Sequence, residues 1–149
     1  MHELASAASG RAAAAPVRLP MLLLEADALL RRTVVLTARS LGLGEIHEAS
    51  SSAVATRLLR ERPFRGAIIA LDLGDRRLDQ YDLSLIDVIR HDDAIAHRSM
   101  PIAVMLERCD AALAEELRRR EVNRVILKPF RARTLLDTFS EFRSLARHA

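Results

Sequence analysis

Short, wholly apolar runs alternate with amphipathic segments along this chain, and that alternation limits the folds it can adopt. The clearest runs are Leu19–Leu24, Ala67–Leu71 and Ile102–Leu106. Runs of this length without polar residues are typical of strands that are buried on both faces. The segments between them carry apolar residues three or four positions apart, which is the spacing of an amphipathic helix. The pattern predicts a parallel sheet covered by helices on both sides.

Two shorter strands complete the predicted set. Glu45–Ala49 is expected near an edge of the sheet, and Val125–Leu127 is expected as the fifth strand. Asp27, the serines 50–52 and Asp110 stand where helices should begin, because short polar side chains cap helix N-termini. Five strand–helix pairs in this order predict an α/β fold, a three-layer, doubly wound, five-stranded parallel sheet.

Length and composition agree with one domain that has an aliphatic core. The chain has 149 residues, of which 50% are hydrophobic and 3% aromatic. We expect a flexible arm over residues 1–18, which are rich in Ala and Ser, a domain over 19–145 and a short tail over 146–149. No apolar run approaches the roughly 18 residues of a membrane span, and the N-terminus lacks the pattern of a signal peptide. With Cys109 as the single cysteine, a cytoplasmic protein is expected.

Charge is distributed unevenly along the chain. Residues 118–133 carry seven basic side chains against Glu121 alone, a net charge of +6. Residues 72–93 carry seven aspartates against three arginines, a net charge of −4. Such asymmetry indicates a protein partner or an anionic ligand, although solvated helix and loop surfaces would also fit it. The arginines of the basic segment, the candidate partner-binding residues, are Arg118, Arg119, Arg120, Arg124, Arg131 and Arg133.

Lys128, Pro129 and Phe130 directly follow the last predicted strand. In a parallel sheet with helices on both faces, ligands bind beyond the carboxyl ends of the strands. A lysine at such an end, followed by a proline suited to a tight turn, indicates a charged group held over a pocket. The spacing of the five histidines gives no metal-ligand pattern, and neither a Gly-rich phosphate loop nor a Ser-His-Asp arrangement is present. We therefore do not expect an enzyme.

Six segments in order resemble the receiver domain of bacterial two-component response regulators, the CheY-like or flavodoxin-like fold. They are MLLLEADALLRR, GLGEIHEASSSAVATRLLRERP, GAIIALDLG, LSLIDVIR, PIAVML and EVNRVILKPF. The resemblance covers residues 19–145 and implies the strand order 2-1-3-4-5. In active receivers an acidic pair after the first strand holds Mg²⁺, and an aspartate ending the third strand accepts the phosphoryl group. A Ser or Thr ends the fourth strand, and a lysine contacts the phosphoryl oxygens.

Of the functional positions of active receivers, this chain keeps the lysine, but several positions that act with it carry other residue types. Glu25 falls on the first acidic position, but Ala26 falls on the second, which normally supplies the main metal carboxylate. Asp27 should point away and cap the following helix. Leu106 stands where Ser or Thr is expected, and Lys128 matches the lysine. An apolar pocket with one carboxylate would hold Mg²⁺ weakly, because this ion needs several oxygen ligands.

The phosphoacceptor position has two alternatives. Matching the end of the third strand to the family pattern places Ala70 there, which we favour; a shift by two residues places Asp72 there instead. Both alternatives lie on the same face of the strand, because side chains alternate with a period of two. A carboxylate partner is expected for Lys128, since a buried unpaired ammonium would be costly.

The favoured hypothesis is a stand-alone pseudo-receiver that signals by protein–protein contact, independently of phosphorylation, without a cofactor. A chain without a DNA-binding extension after residue 145 is not expected to be a transcription factor itself. Binding of nucleic acid is not expected either, because the acidic segment 72–93 opposes non-specific contact with phosphates. The expected partners are a histidine kinase or another signalling protein, and a second copy through the fourth helix, fifth strand and fifth helix. One alternative is an active response regulator phosphorylated on Asp72, which would require Mg²⁺. The other is an adaptor that binds a cyclic dinucleotide through the arginines of 118–133.

Overall fold

The computed structural model describes residues 20–42, 44–72 and 81–147. Within these ranges the chain forms five strands and five helices in strict alternation. The strands are β1 (Pro20–Leu24), β2 (Glu45–Ala49), β3 (Gly66–Ala70), β4 (Ile102–Leu106) and β5 (Arg124–Leu127). The helices are α1 (Ala28–Ser40), α2 (Ser52–Glu61), α3 (Ser84–His91), α4 (Ala111–Arg119) and α5 (Ala132–Arg147).

The five strands form one parallel sheet in the order β2-β1-β3-β4-β5, which confirms the predicted topology. Every residue of β3 and β4 is buried, as the uninterrupted apolar runs predicted. β2 lies at one edge, also as predicted, and its residues are mostly exposed or half-buried. β5 forms the other edge of the sheet.

Two apolar cores cover the two faces of the sheet and make the fold a three-layer one. On one face, α1 and α5 pack Val34, Leu135 and Phe139 against the strands. On the other face α2, α3 and α4 contribute, among others, Leu59 and Ile86. The side chains of each strand alternate between the two cores, so a residue's position along its strand decides which helices it meets.

Side-chain caps begin three of the helices at the predicted residues. The carboxylate of Asp27 accepts a hydrogen bond from the backbone N–H of Leu30 at 3.0 Å, and Asp110 caps α4 in the same way through Leu113 at 2.7 Å. The hydroxyl of Ser51 accepts from the N–H of Val54 at 3.2 Å. These caps determine where the chain turns from strand to helix at the carboxyl edge of the sheet.

Element ends differ from the predictions by one or two residues. β3 begins at Gly66 and ends at Ala70, one residue earlier at each end than predicted. α5 continues to Arg147, two residues past the predicted domain end, since the amphipathic pattern weakens before the helix does. The predicted arm of residues 1–18 and the loop positions 73–80 lie outside the described residues. In the described ranges, no helix has the length and apolar character needed to cross a bilayer.

Candidate functional site

The candidate site lies beyond the carboxyl ends of β1, β3 and β5. Lys128 follows β5 directly, and its backbone N–H donates to the carbonyl of Leu106 at 2.9 Å, which holds it beside the end of β4. The peptide bond from Lys128 to Pro129 is cis. The β5 side chain of Ile126 points into the core formed with α1 and α5, and Lys128, two residues later, lies on the same side.

Lys128 joins two carboxylates that come from different strands. Its ammonium nitrogen Nζ lies 2.6 Å from Oε1 of Glu25 and 2.9 Å from Oδ1 of Asp72. The side chains of Glu25, Asp72 and Lys128 are 2%, 17% and 13% exposed. The prediction that Lys128 pairs with a carboxylate is confirmed, and it has two such partners.

Glu25 is the most buried member of this group. Its second carboxylate oxygen, Oε2, accepts the backbone N–H of Asp27 at 3.2 Å, so both oxygens have donors. Its backbone is held as well, because its N–H donates to Ala49 at 3.1 Å and its carbonyl accepts from Arg31 Nη1 at 2.7 Å. The carboxylate is therefore held in one position by contacts on each side.

Arg31 and Tyr81 contribute to the site although the sequence did not single them out. Arg31 braces the turn after β1 from the first turns of α1, and its Nε also donates to Glu48 at 3.3 Å. The hydroxyl of Tyr81 donates to the carbonyl of Arg108 at 2.9 Å, which joins the segment before α3 to the segment after β4. Burial, together with the negative charge of Asp72, raises the pKa of Tyr81 above its ordinary value of 10.0.

The ionisation of Lys128 follows from its surroundings. Burial acts to lower the pKa of Lys128, but its hydrogen bonds to Glu25 and Asp72 outweigh burial and raise the pKa above the ordinary value of 10.5. Lys128 is therefore charged throughout the neutral range. The stability that it contributes is complete below about pH 10.5 and is lost only as the pH rises through its elevated pKa.

The side chains at the carboxyl ends of β3 and β4, the two strands between Glu25 and Lys128, are apolar. Ala70 is fully buried in the core under α1 and α5, and Leu106 is fully buried in the opposite core. Ala26 is exposed, and Asp27 caps α1 as predicted rather than joining Lys128. The carboxylate that β3 presents to Lys128 comes from Asp72, two residues beyond Ala70 on the same side of the sheet. Whether Ala70 or Asp72 corresponds to the phosphoacceptor of receivers stays a prediction.

The basic segment does not form a single arginine cluster. Arg118, Arg119 and Arg120 lie at the end of α4, at the amino edge of the sheet, and Arg124 begins β5 there; the arginines at 131 and 133 follow β5 at the carboxyl edge. Five of the six have carboxylate partners within the chain. These pairs are Arg118–Glu115, Arg119–Glu116, Arg120–Asp87, Arg124–Glu141 and Arg133–Asp137, with closest N–O distances of 2.7, 3.4, 2.8, 3.3 and 3.9 Å.

Apolar side chains are exposed on the edge strand β5. Val125 and Leu127 are 37% and 53% exposed, on the side of the sheet away from the buried Ile126. An edge strand also presents backbone groups that have no neighbouring strand to pair with. This strip lies between α4 and α5, the elements predicted to contact a second copy.

Among the described residues, no cluster of three or more His, Cys, Asp or Glu side chains is arranged to hold a metal ion. The thiol of Cys109 is half-buried, and burial together with the charge of Asp110 raises its pKa above the ordinary 9.0. The thiol is therefore protonated at neutral pH, which makes it a poor nucleophile.

Solved structures that are similar to this chain include response regulators and receiver domains. The chemotaxis response regulator CheY4 of Vibrio cholerae superimposes with a TM-score of 0.72 at 17% identity, over 85% of this chain and 99% of its own. A CheY-like receiver domain protein from Methanospirillum hungatei gives 0.70 at 14% identity, over 88% and 98%. The receiver domain of the Francisella response regulator 1452 gives 0.73 at 12% identity, over 87% and 99%.

No protein-family model matches the chain, and no curated protein sequence is similar to it. The structural likeness extends over nearly the whole length of the known receivers, at identities that establish the fold and nothing finer. The chain has the CheY-like fold, which confirms the architecture that the six sequence segments predicted.

Proposed function

We propose that this protein is a pseudo-receiver, a cytoplasmic signalling domain that acts through protein–protein contact and does not use a phosphotransfer switch. The observation that carries the proposal is that Ala70 and Leu106, at the carboxyl ends of β3 and β4, have no side-chain oxygen. The CheY-like fold supports a role in two-component signalling, and in this chain the carboxylates of Glu25 and Asp72 lie 2.6 and 2.9 Å from the ammonium of Lys128.

The charges of the site are the first support. Lys128 supplies a permanent cation in direct contact with both carboxylates. Glu25 has both oxygens occupied by donors, and Ala26 offers no further carboxylate. Mg²⁺ requires octahedral coordination by oxygen, with some ligands from the protein. The residues present do not fit that ion, so we assign it no part in the function.

The apolar neighbours are the second support. An acyl phosphate concentrates negative charge, which must be balanced by donors and cations in the site. Leu106 provides no hydroxyl at the end of β4, and Ala70 provides no oxygen at the end of β3. A phosphoryl group on Asp72 would have Lys128 as a charged partner, but it would find no hydroxyl at the end of β4.

Incubating the purified protein with acetyl phosphate and Mg²⁺ is therefore expected to leave its intact mass unchanged. Stabilisation of the acyl phosphate by a metal and a hydroxyl is missing, so the modified form should not accumulate. Mass spectrometry of the intact chain after native desalting is the measurement. A receiver domain known to accept phosphoryl groups from acetyl phosphate serves as the positive control in the same reaction.

Asp72→Ala is the matched variant for this experiment. A stoichiometric phosphoryl adduct on the unmodified chain that disappears in Asp72→Ala would contradict the pseudo-receiver proposal. That outcome would establish the second candidate function, an active response regulator phosphorylated on Asp72. One observation favours this candidate: the Asp72 carboxylate is partly exposed and in direct contact with Lys128, as a phosphoacceptor beside its lysine would be.

The proposed partner surface is the face formed by α4, β5 and α5, and the proposed occupant is a second copy of the chain. Val125 and Leu127 supply a small exposed apolar strip on the edge strand. Exposed arginines flank it on α4 and before α5, and they could pair with acidic side chains of the other copy. An apolar strip with a polar rim is the usual composition of a protein–protein interface.

Light scattering of the purified chain is expected to show a mass that rises with protein concentration. Leu127→Lys should abolish that rise, because it places a charge in the centre of the apolar strip. Leu29→Lys is the matched control: Leu29 is 78% exposed on α1, away from β5, and its replacement should leave self-association unchanged. A strictly monomeric protein at high concentration, or equal effects of the two variants, would count against this surface.

A further inference from the structure

A concave region lies at the end of the sheet where the strands begin, opposite the end that carries Lys128. It is a cavity of about 440 Å³ lined by Arg90, Arg98, Arg119 and Arg120, with Glu121 as its acidic residue. Two of these arginines belong to the basic segment of the sequence, and the other two come from α3 and the segment before β4. Four arginines from three separate parts of the chain therefore line one space.

Arg90 forms the fixed part of this cavity. Its guanidinium donates to the carbonyls of Arg98, Met100, Arg120 and Glu121, with distances from 2.6 to 3.0 Å. All four acceptors are backbone carbonyls rather than carboxylates. These bonds hold the guanidinium of Arg90 in place without forming an ion pair. A guanidinium has five N–H donors, which leaves one beyond these four.

The carbonyls that Arg90 binds also affect whether an anion can bind in this cavity. The ends of α3 and α4 meet here, and helix C-termini carry partial negative charge that repels anions. Because Arg90 occupies the carbonyls of Arg120 and Glu121, just beyond α4, it offsets that charge. The charged side chains that line the cavity are four arginines and one glutamate, although the cavity lies at the end of two helices.

Arg98 and Arg119 are held by ion pairs at the surface, whereas Arg120 pairs with Asp87 and Glu116 in part-buried contacts, at 2.8 Å each, and keeps those partners. Arg98 pairs with Asp93 at 2.9 Å, where the two side chains are 50% and 95% exposed. Arg119 pairs with Glu115 and Glu116 of its own helix at 3.5 and 3.4 Å. Exposed pairs of this kind contribute little to stability, so a ligand with stronger acceptors can take over their donors.

We propose that this cavity is a binding site for a small polyanion that carries two or more phosphoryl groups. Guanidinium groups match phosphate oxygens with two parallel hydrogen bonds, and several such groups together select for multiple charge. The volume falls within the range of small-molecule sites. The site is separate from Lys128 and does not depend on the signalling role proposed above.

Isothermal titration with inorganic pyrophosphate at constant ionic strength, in buffer without divalent cations, tests this site. The unmodified chain is expected to bind with a dissociation constant below about 1 mM. The double variant Arg98→Ala/Arg119→Ala should weaken binding by at least about tenfold, because it removes two charged donors and leaves the fixed Arg90 intact.

The double variant Arg118→Ala/Arg133→Ala is the matched control. It removes the same charge from two exposed arginines that pair within their own helices and do not line the cavity. We expect its affinity for pyrophosphate to stay within about twofold of the unmodified chain. Absence of heat at millimolar pyrophosphate, or equal weakening in the two double variants, would overturn the proposal, since the second result would indicate general charge attraction.

Discussion

Lys128→Met is expected to lower the free energy of unfolding by about 3–5 kcal/mol, the usual cost of removing one partner from a buried ion pair. Glu25 is 1% exposed, and without the ammonium its charge would lie in the protein with only one backbone donor. Methionine fills a similar volume, so the loss arises from charge rather than from a cavity. Urea unfolding followed by circular dichroism measures it.

The double variant Glu25→Gln/Lys128→Met is the control for this prediction. Removing both charges eliminates the buried unpaired carboxylate, so most of the lost stability should return. Asp72→Asn alone should cost less than Lys128→Met, because the Asp72 side chain is 17% exposed and Lys128 keeps Glu25. A loss below about 1 kcal/mol for Lys128→Met would show that Glu25 does not depend on this lysine.

The pH dependence provides a second test of the same group. The pKa of Lys128 is raised above 10.5, so the difference in stability between the unmodified chain and Lys128→Met should be constant across neutral pH. On the alkaline side, the difference should shrink in strongly alkaline solution, where Lys128 loses its proton in the folded state as well. A difference that already disappears near pH 8 would contradict the assigned ion group.

The fold was largely predictable because two periodicities determine it. Fully apolar runs such as Ile102–Leu106 are typical of central strands in a sheet that is covered on both faces, and β4 is buried throughout. Leu135, Phe139 and Phe142 stand four and three positions apart, which is typical of the inner face of an amphipathic helix, and all three side chains are buried. Element ends were less certain, because the last turn of a helix needs no apolar residue.

The candidate site was predictable where it depends on the sheet alone. Parallel strands bring their carboxyl ends to one edge, so Glu25 and Lys128 had to approach each other even though 103 positions separate them. The alternation of side chains also placed Asp72 on the same side as Ala70. It did not determine which of the two would reach the lysine, because that depends on the path of the chain after β3 ends.

Contacts to backbone carbonyls were not predictable. The hydroxyl of Tyr81 and the guanidinium of Arg90 bind carbonyl oxygens, which every residue possesses and which leave no pattern in the sequence. The spatial arrangement of the arginines in residues 118–133 was not predictable for a related reason, and their role in binding a partner stays a prediction. These arginines are close in sequence, but β5 runs between them, so they lie at opposite ends of that strand.

Arg90→Met is expected to lower the free energy of unfolding by about 2–4 kcal/mol, because it leaves buried acceptors without donors. The carbonyls of Met100 and Arg120 lie in part-buried contacts with Arg90, whereas those of Arg98 and Glu121 are in exposed contacts and can be hydrated instead. The loss should therefore correspond to about two hydrogen bonds to a charged donor rather than four. Chemical unfolding measures the total change.

Arg57→Met is the matched control, because it removes the same side chain from the exposed face of α2, where Arg57 is 3.8 Å from Glu61. Its effect on the free energy of unfolding should stay within about 0.5 kcal/mol.

Hydrogen exchange shows where Arg90→Met loosens the structure. Without Arg90, the amides of Ile95 and Met100, which close turns in the segment before β4, should exchange faster. Arg90→Lys should recover less than half of the stability, because an ammonium cannot reach carbonyls on both sides as the planar guanidinium does. Equal stability of Arg90→Lys and the unmodified chain would mean that charge alone, and not the geometry of the four bonds, holds these segments together.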